Sequence, residues 1–219
     1  MDWFPLFNSI RISLIASVLT FFAGVGAAYG FRRVKPQIKP ILDCFLTLPL
    51  VLPPTVVGFF LLASLSPKRP IGAFLLEHFG VRVIMTWPAS ILAVAVVTFP
   101  LMYRTARGAF EGFDRGLADA GLSLGLTRWQ VFWHIVLPCC KKGVLAGFVL
   151  AFARGLGEYG ATSMVSGYTP GSTATIATTV YQLWREGNDA MAYRWVLVNV
   201  AISFIALYAL SYLEKKDHS

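Results

Sequence analysis

The sequence is short of charge, and shorter still of acid. Charged residues make up 14% of 219, and Asp and Glu together number 11 against 19 Lys and Arg. With 56% hydrophobic residues and a mean hydropathy of +0.64, an ordinary soluble domain of this size is excluded. Cysteine is scarce too. Cys44, Cys139 and Cys140 are an odd number without metal-ligand spacing, which excludes a disulfide framework and leaves structural thiols in a reducing compartment. Neither a Gly-rich phosphate loop ending in Lys-Ser/Thr nor a His-Glu-x-x-His helix occurs, so no cofactor, metal site or catalytic residue of its own is legible. There is no internal repeat and no low-complexity stretch, so residues 1–219 read as a single membrane domain. A net charge of +8 raises nucleic acid as a partner, but no aromatic-basic RNA motif accompanies it.

What the chain has is long apolar runs. Crossing the hydrocarbon takes about 20 mostly apolar residues per helix. The runs that qualify are roughly Asn8 to Gly30, Ile41 to Leu65, Thr86 to Tyr103, Gly143 to Val165 and Ala190 to Leu213. The expectation is an all-α integral membrane protein of about five transmembrane helices, in contact with lipid on its outer faces. Met1 to Phe7 carries Asp2 and no Lys or Arg, and the first run is longer than a signal core, so that helix is expected to stay. Orientation is set by the basic residues, which stay in the cytoplasm. Segments 31–40 and 104–142 and the tail with Lys215 and Lys216 carry most of them, whereas 66–85 and 166–189 hold only Lys68, Arg69, Arg82 and Arg185. The N-terminus is thus expected outside and the C-terminus inside, in a multi-pass protein.

Between the third and fourth runs lies the most polar part of the chain, about 104–140. Leu117 to Leu124 reads as one short helix, Gly125 separates it from the next, and Thr127 with Gln130 forms a Thr-x-x-Gln capping box. Trp129, Phe132, Trp133, Val136 and Leu137 then recur on one face, with Arg128, Gln130 and His134 off it. Such a segment lies along a membrane surface or on the tops of membrane helices, and Pro138 is expected to end it.

Within the spans, Gly143, Gly147, Ala151 and Gly155 form a small-residue stripe, and Ala23, Gly26, Ala27 and Gly30 form another; either could pack internally or across a dimer. Pro49, Pro53 and Pro54 sit inside one run, where each removes a backbone hydrogen bond, so a break is expected there. That break is a candidate pathway wall or gate, or a structural kink; Pro100 is expected to bend the third helix. Arg154 and Glu158 lie one turn apart in the fourth run and should pair with each other or across a dimer. They either hold the bundle together, or Arg154 supplies positive potential to an anion path whose outer gate Glu158, Thr162 and Ser163 shape. Glu158 and His134 are the only acid-base candidates for an intramembrane enzyme, and nothing catalytic accompanies them except Arg154. Five helices are few to enclose a path, which favours two copies around a shared one.

The 104–140 segment resembles the cytoplasmic loop of ABC importer permeases. Their signature is Glu-Ala-Ala, three residues, Gly, nine residues, then Ile-x-Leu-Pro. Here it reads Asp119-Ala120-Gly121, Gly125 and Ile135-Val136-Leu137-Pro138, with Asp for Glu and Gly121 for the second Ala. The resemblance implies the ABC importer permease fold, and a coupling helix that docks on a separate ATPase through Leu117, Asp119, Ala120, Gly121, Gly125, Ile135, Leu137 and Pro138. It also implies a homodimer, two ABC ATPase subunits holding ATP and Mg, and a prokaryotic plasma (inner) membrane. LPLVLPPTVVGFFLL and AFARGLGEYGATSMVSGYTPGSTATIATTVY are similar to stretches of molybdate importer permeases, over nearly the whole chain. That implies molybdate supplied by a periplasmic or lipid-anchored binding protein. Tungstate, sulfate or thiosulfate remains open, and the loop alone leaves open an amino acid or metal chelate.

Overall fold

The computed structural model describes residues 2–215; Met1 and Lys216, the second lysine of the basic tail, lie outside them. The regular elements are helices: α1 (Phe4–Phe31), α2 (Lys39–Val51), α3 (Pro54–Leu65), α4 (Pro70–Phe79), α5 (Trp87–Glu111), α6 (Arg115–Ser123), α7 (Arg128–Val131), α8 (Leu137–Leu156), α9 (Gly160–Val165), α10 (Ile176–Arg185) and α11 (Asp189–Lys215). A π-helical turn, Phe132–Val136, fuses α7 to α8. Among the described residues four stretches are long and apolar enough to cross a bilayer: Phe4–Phe31, Trp87–Glu111, Arg128–Leu156 and Asp189–Tyr208. α2 and α3 meet the same measure only as a pair, bent by 107° at the break between them.

The centre of the bundle is α1, α5 and α8, with α2 against α5, α11 against α8 and α10, and α3 paired with α9. In lipid the large apolar side chains are not driven inward, so small residues can line the places where helices approach closely. On α1, Ser13, Ala16, Ser17, Gly24 and Ala28 are buried while Leu14, Val18, Leu19 and Phe22 face outward. The α8 stripe packs internally: Gly143 meets Ala109, Gly147 meets Met102 and Thr105, and Gly155 meets Val94 and Ser13. The other stripe packs only in part: Ala27 lies against the core, while nothing lies within 4 Å of where a Cβ on Gly26 or Gly30 would sit.

The two ends of the bundle differ. At one, Phe31, Tyr103, Phe110, Val131, Phe132, Val136 and Cys140 make a common core. At the other, Asn8 Nδ2 donates to the Ala174 carbonyl at 2.8 Å, Asn8 Oδ1 accepts from Trp87 Nε1 at 2.6 Å, and Ser9 Oγ accepts from the Ile176 amide at 2.9 Å. The segments rich in Lys and Arg therefore gather at the first end and those poor in them at the second.

Several helix limits differ from the sequence reading. The fourth span is not Gly143 to Val165: it begins at Arg128 and stops at Leu156, and residues 157–159 break the chain before α9. The amphipathic segment does not end at Pro138 either. Pro138 sits in the first turn of α8, and the π-turn ahead of it widens the helix where its ring would meet the His134 carbonyl, so the helix continues. α5 runs on to Glu111 through a buried Pro100. The segments 66–85 and 166–189 contain α4 and α10; α10 starts at a Thr175/Thr178 capping box.

Candidate functional site

The 112–127 segment forms an elbow between α5 and the long helix that begins at Arg128. Asp114 caps α6 by accepting from the Gly116 amide at 2.8 Å. α6 ends in a left-handed turn at Gly125 (φ +87°), a conformation that costs an L side chain about 1–2 kcal/mol. Thr127 then starts α7: its hydroxyl accepts from the Gln130 amide at 3.3 Å, and Gln130 Oε1 accepts from the Thr127 amide at 2.9 Å. Gly121 is a site of close approach, since a Cβ there would lie 2.6 Å from Ile135 Cδ1. The residue that departs from the signature therefore lets α6 press against the long helix. Leu117 is half exposed, Asp119, Ala120 and Pro138 are exposed, Leu124 is 85% exposed, and Ile135 and Leu137 are partly buried.

The apolar face read from periodicity is divided. Phe132 and Val136 are buried with Val131, Phe132 lying 4.5 Å from Tyr29 between ring centroids, whereas Trp129 is 70% and Trp133 41% exposed. Phe132 and Val136 form the edge turned into the bundle, while Trp129 and Trp133, one turn apart, form the open edge and line a groove with Leu137. His134 is exposed with Nδ1 3.0 Å from the Gln130 carbonyl.

At the far end, two chain breaks meet. Pro53 caps α3, and Leu52 before it is extended (ψ 140°), as a residue preceding proline must be. The expected break lies there. Where α3 crosses α9, a Cβ on Gly58 would fall 2.8 Å from Ala161 Cα, and one on Gly160 would fall 2.9 Å from Pro54 Cβ. Pro54 is thus brought onto the 158–163 segment. Glu158 is buried; its Oε1 accepts from the Ala161 amide at 2.8 Å, and its Oε2 lies 2.6 Å from Arg154 Nη2 outside hydrogen-bonding geometry. The pair forms within the chain. Thr162 is fully buried with an unpartnered hydroxyl, and Ser163 Oγ donates to the Gly160 carbonyl at 3.0 Å.

One cluster escaped the sequence reading. Asp43, the single acid of the 41–65 run, accepts from Tyr103 Oη at 3.1 Å and pairs with Arg107, which also pairs with Glu111 at 2.8 Å and lies 4.3 Å over the Phe31 ring. It ties the inner half of the broken span to α5. The lone acid was the available signal. Three cavities, of about 270, 570 and 380 Å³, lie around α1, and none is lined by Pro53, Pro54, Arg154, Glu158, Thr162 or Ser163. Among the described residues, no group of three or more His, Cys, Asp or Glu side chains could hold a metal ion.

The helical fold is shared with known proteins. The chain is 39% identical over 215 residues to the molybdenum transport system permease protein ModB of Escherichia coli, covering 98% of this chain and 94% of that one. It is 38% identical over 214 residues to the putative molybdenum transport system permease protein YvgM of Bacillus subtilis, covering 98% and 93%. A bacterial alginate ABC transporter, solved with an alginate-bound periplasmic protein, has a chain that superposes with a TM-score of 0.75 at 18% identity, over 95% of this chain and 76% of that one. Residues 16–216 match the family model for binding-protein-dependent transport system inner membrane components. The chain belongs to that family: it is a multi-pass membrane permease.

Proposed function

We propose that this chain is the membrane permease subunit of an ATP-driven importer of molybdate, acting by alternating access as a homodimer. The observation that carries the mechanism is one continuous helix, Arg128–Leu156, with the elbow packed on its start through Gly121 and Ile135 and the Arg154–Glu158 pair at its finish. A push on the elbow displaces the shaft, and the shaft displaces the junction of the two broken spans. ATP and Mg belong to two ABC ATPase subunits bound at the elbow end, and the solute arrives from a periplasmic or lipid-anchored binding protein at the other. That requires the N-terminus outside and the elbow and C-terminus in the cytoplasm of a prokaryotic cell, in line with the gathering of basic segments at the elbow end.

The two molybdenum permeases support molybdate as the solute. The energetics require a motor: a dianion entering against an interior-negative potential meets about 2.3 kcal/mol per charge per 100 mV, roughly 4.6 kcal/mol in all. At about 1.4 kcal/mol per decade that is more than three decades in concentration, which a passive pore would let leak away. The test is uptake of labelled molybdate by vesicles holding this chain, its ATPase and its binding protein, with tungstate and sulfate as competitors. ATP-dependent molybdate uptake that resists excess sulfate is expected; uptake of sulfate with molybdate excluded overturns the assignment.

A further inference from the structure

Two of the cavities adjoin each other at the elbow end of α1. The smaller is lined by Arg32, Arg33, Arg115 and Arg128, contributed by the end of α1, by α6 and by α7. The larger, of about 570 Å³, is an apolar groove that runs along α1 and the start of the long helix past Phe22, Gly26 and Trp133. Tyr29, Arg33 and Arg128 line both, so the arginine cluster opens directly into the groove.

Among the described residues no carboxylate forms a salt bridge with any of the four arginines; Arg32 and Arg33 lie over the ring of Tyr29, at 5.7 and 5.6 Å. Arginines gathered around one pocket favour an anion that they can share, and arginine's planar fork matches phosphate oxygens. The groove beside them starts at the charged end and runs along a helix whose outer side chains face lipid. Its floor is open at Gly26.

We propose that this is a binding site for an anionic phospholipid, its phosphate on the arginine cluster and an acyl chain in the groove over Gly26. Basic pockets between helices at the membrane surface recognise anionic headgroups in this way. A second copy of the chain suits the surface poorly, because a two-fold contact centred on this patch would set two clusters of the same sign against each other. A soluble acidic segment would match the charges and leave the apolar groove unfilled. Since Arg115 opens α6 within the elbow and Arg128 follows it, the lipid bridges α1 to the element that meets the ATPase, so anionic lipid content sets how firmly the elbow is held. The site rests on the proposed orientation only for its leaflet, which would be cytoplasmic.

The test uses the full chain in nanodiscs, with brominated phosphatidylglycerol or brominated phosphatidylcholine as quenchers of Trp129 and Trp133. Their signal is read as the difference from a Trp129→Phe/Trp133→Phe chain. Phosphatidylglycerol is expected to quench at a mole fraction about tenfold lower than phosphatidylcholine, since basic residues near the surface are each worth several-fold in anionic-lipid affinity. Arg32→Gln/Arg33→Gln should abolish the preference, and Gly26→Leu, which fills the groove and leaves the arginines intact, should abolish it as well. Equal quenching by both lipids, or a preference that survives either variant, overturns the proposal. So does protection from both lipids, the mark of a second copy in the groove, or displacement of phosphatidylglycerol by inorganic phosphate, the mark of a free-anion site. Labelling of Leu124→Cys by an impermeant maleimide in intact cells reads the orientation separately, so a failed topology and a failed lipid site are told apart.

Discussion

At the elbow the chain is shaped by neighbours close in sequence, Gly121 on Ile135 and Thr127 on Gln130, whereas the junction at the far end joins residues distant in sequence, Gly58 on Ala161 and Pro54 on Gly160. A locally determined device keeps its form when the rest of the molecule moves, so it can carry a displacement. A device made of long-range contacts exists only while its helices stay in register, so it can open when they shift. The elbow is built to be pushed and the junction to respond. Between them lies one helix, interrupted only by a π-turn.

That contrast breaks most sharply at Arg154. Arg154→Ala leaves the buried Glu158 carboxylate with only the Ala161 amide. After allowance for the 36% exposure of Arg154, the loss is expected to be about 2–3 kcal/mol, read as a lower melting temperature in detergent. Adding Glu158→Gln should recover part of it; a double variant no better than the single one would mean that the pair does not hold the junction. Next is Gly58→Leu, which drives a side chain into the Ala161 backbone and should cost about 1–3 kcal/mol, against little change for Gly26→Leu on open surface. Equal melting for the two would show that α3 and α9 are not locked.

At the elbow the effect moves from stability to transport. Gly125→Val forces a β-branched residue to φ +87°, at about 1–2 kcal/mol, and should leave insertion intact while ATP-driven uptake collapses. Normal uptake in that variant would mean that the turn's shape is unimportant. The smallest effect is expected for Thr127→Ala, which removes one side of the capping box for about 1 kcal/mol and should lower uptake modestly while sparing the melting of the junction.

The same division governed what was legible in the sequence. Pro53 and Pro54, the capping box and Gly125 act on their own neighbourhoods, so the break and the elbow could be read directly. The fourth span's end at Leu156 could not, because residues 157–159 leave the helix where Gly160 must fit beneath Pro54. The exposure of Trp129 and Trp133 could not be read either, because which edge of the apolar face is covered depends on α1, whose Tyr29 packs on Phe132. The role of Asp43 needed Arg107 and Tyr103, which lie on another helix. In sequence Gly121 is a departure from the signature, and only the 2.6 Å from its Cβ position to Ile135 reveals it as a contact residue.

The central claim is that the elbow meets a separate motor. It is tested most directly by short-range cross-linking from Leu124→Cys, an elbow position at 85% exposure, in a chain otherwise free of cysteine and assembled with its ATPase. Tyr168→Cys at the opposite end serves as the control. An adduct of permease with ATPase from Leu124→Cys, absent from the control, is the expected result. An intact complex in which Leu124→Cys yields no such adduct while Tyr168→Cys does would contradict it.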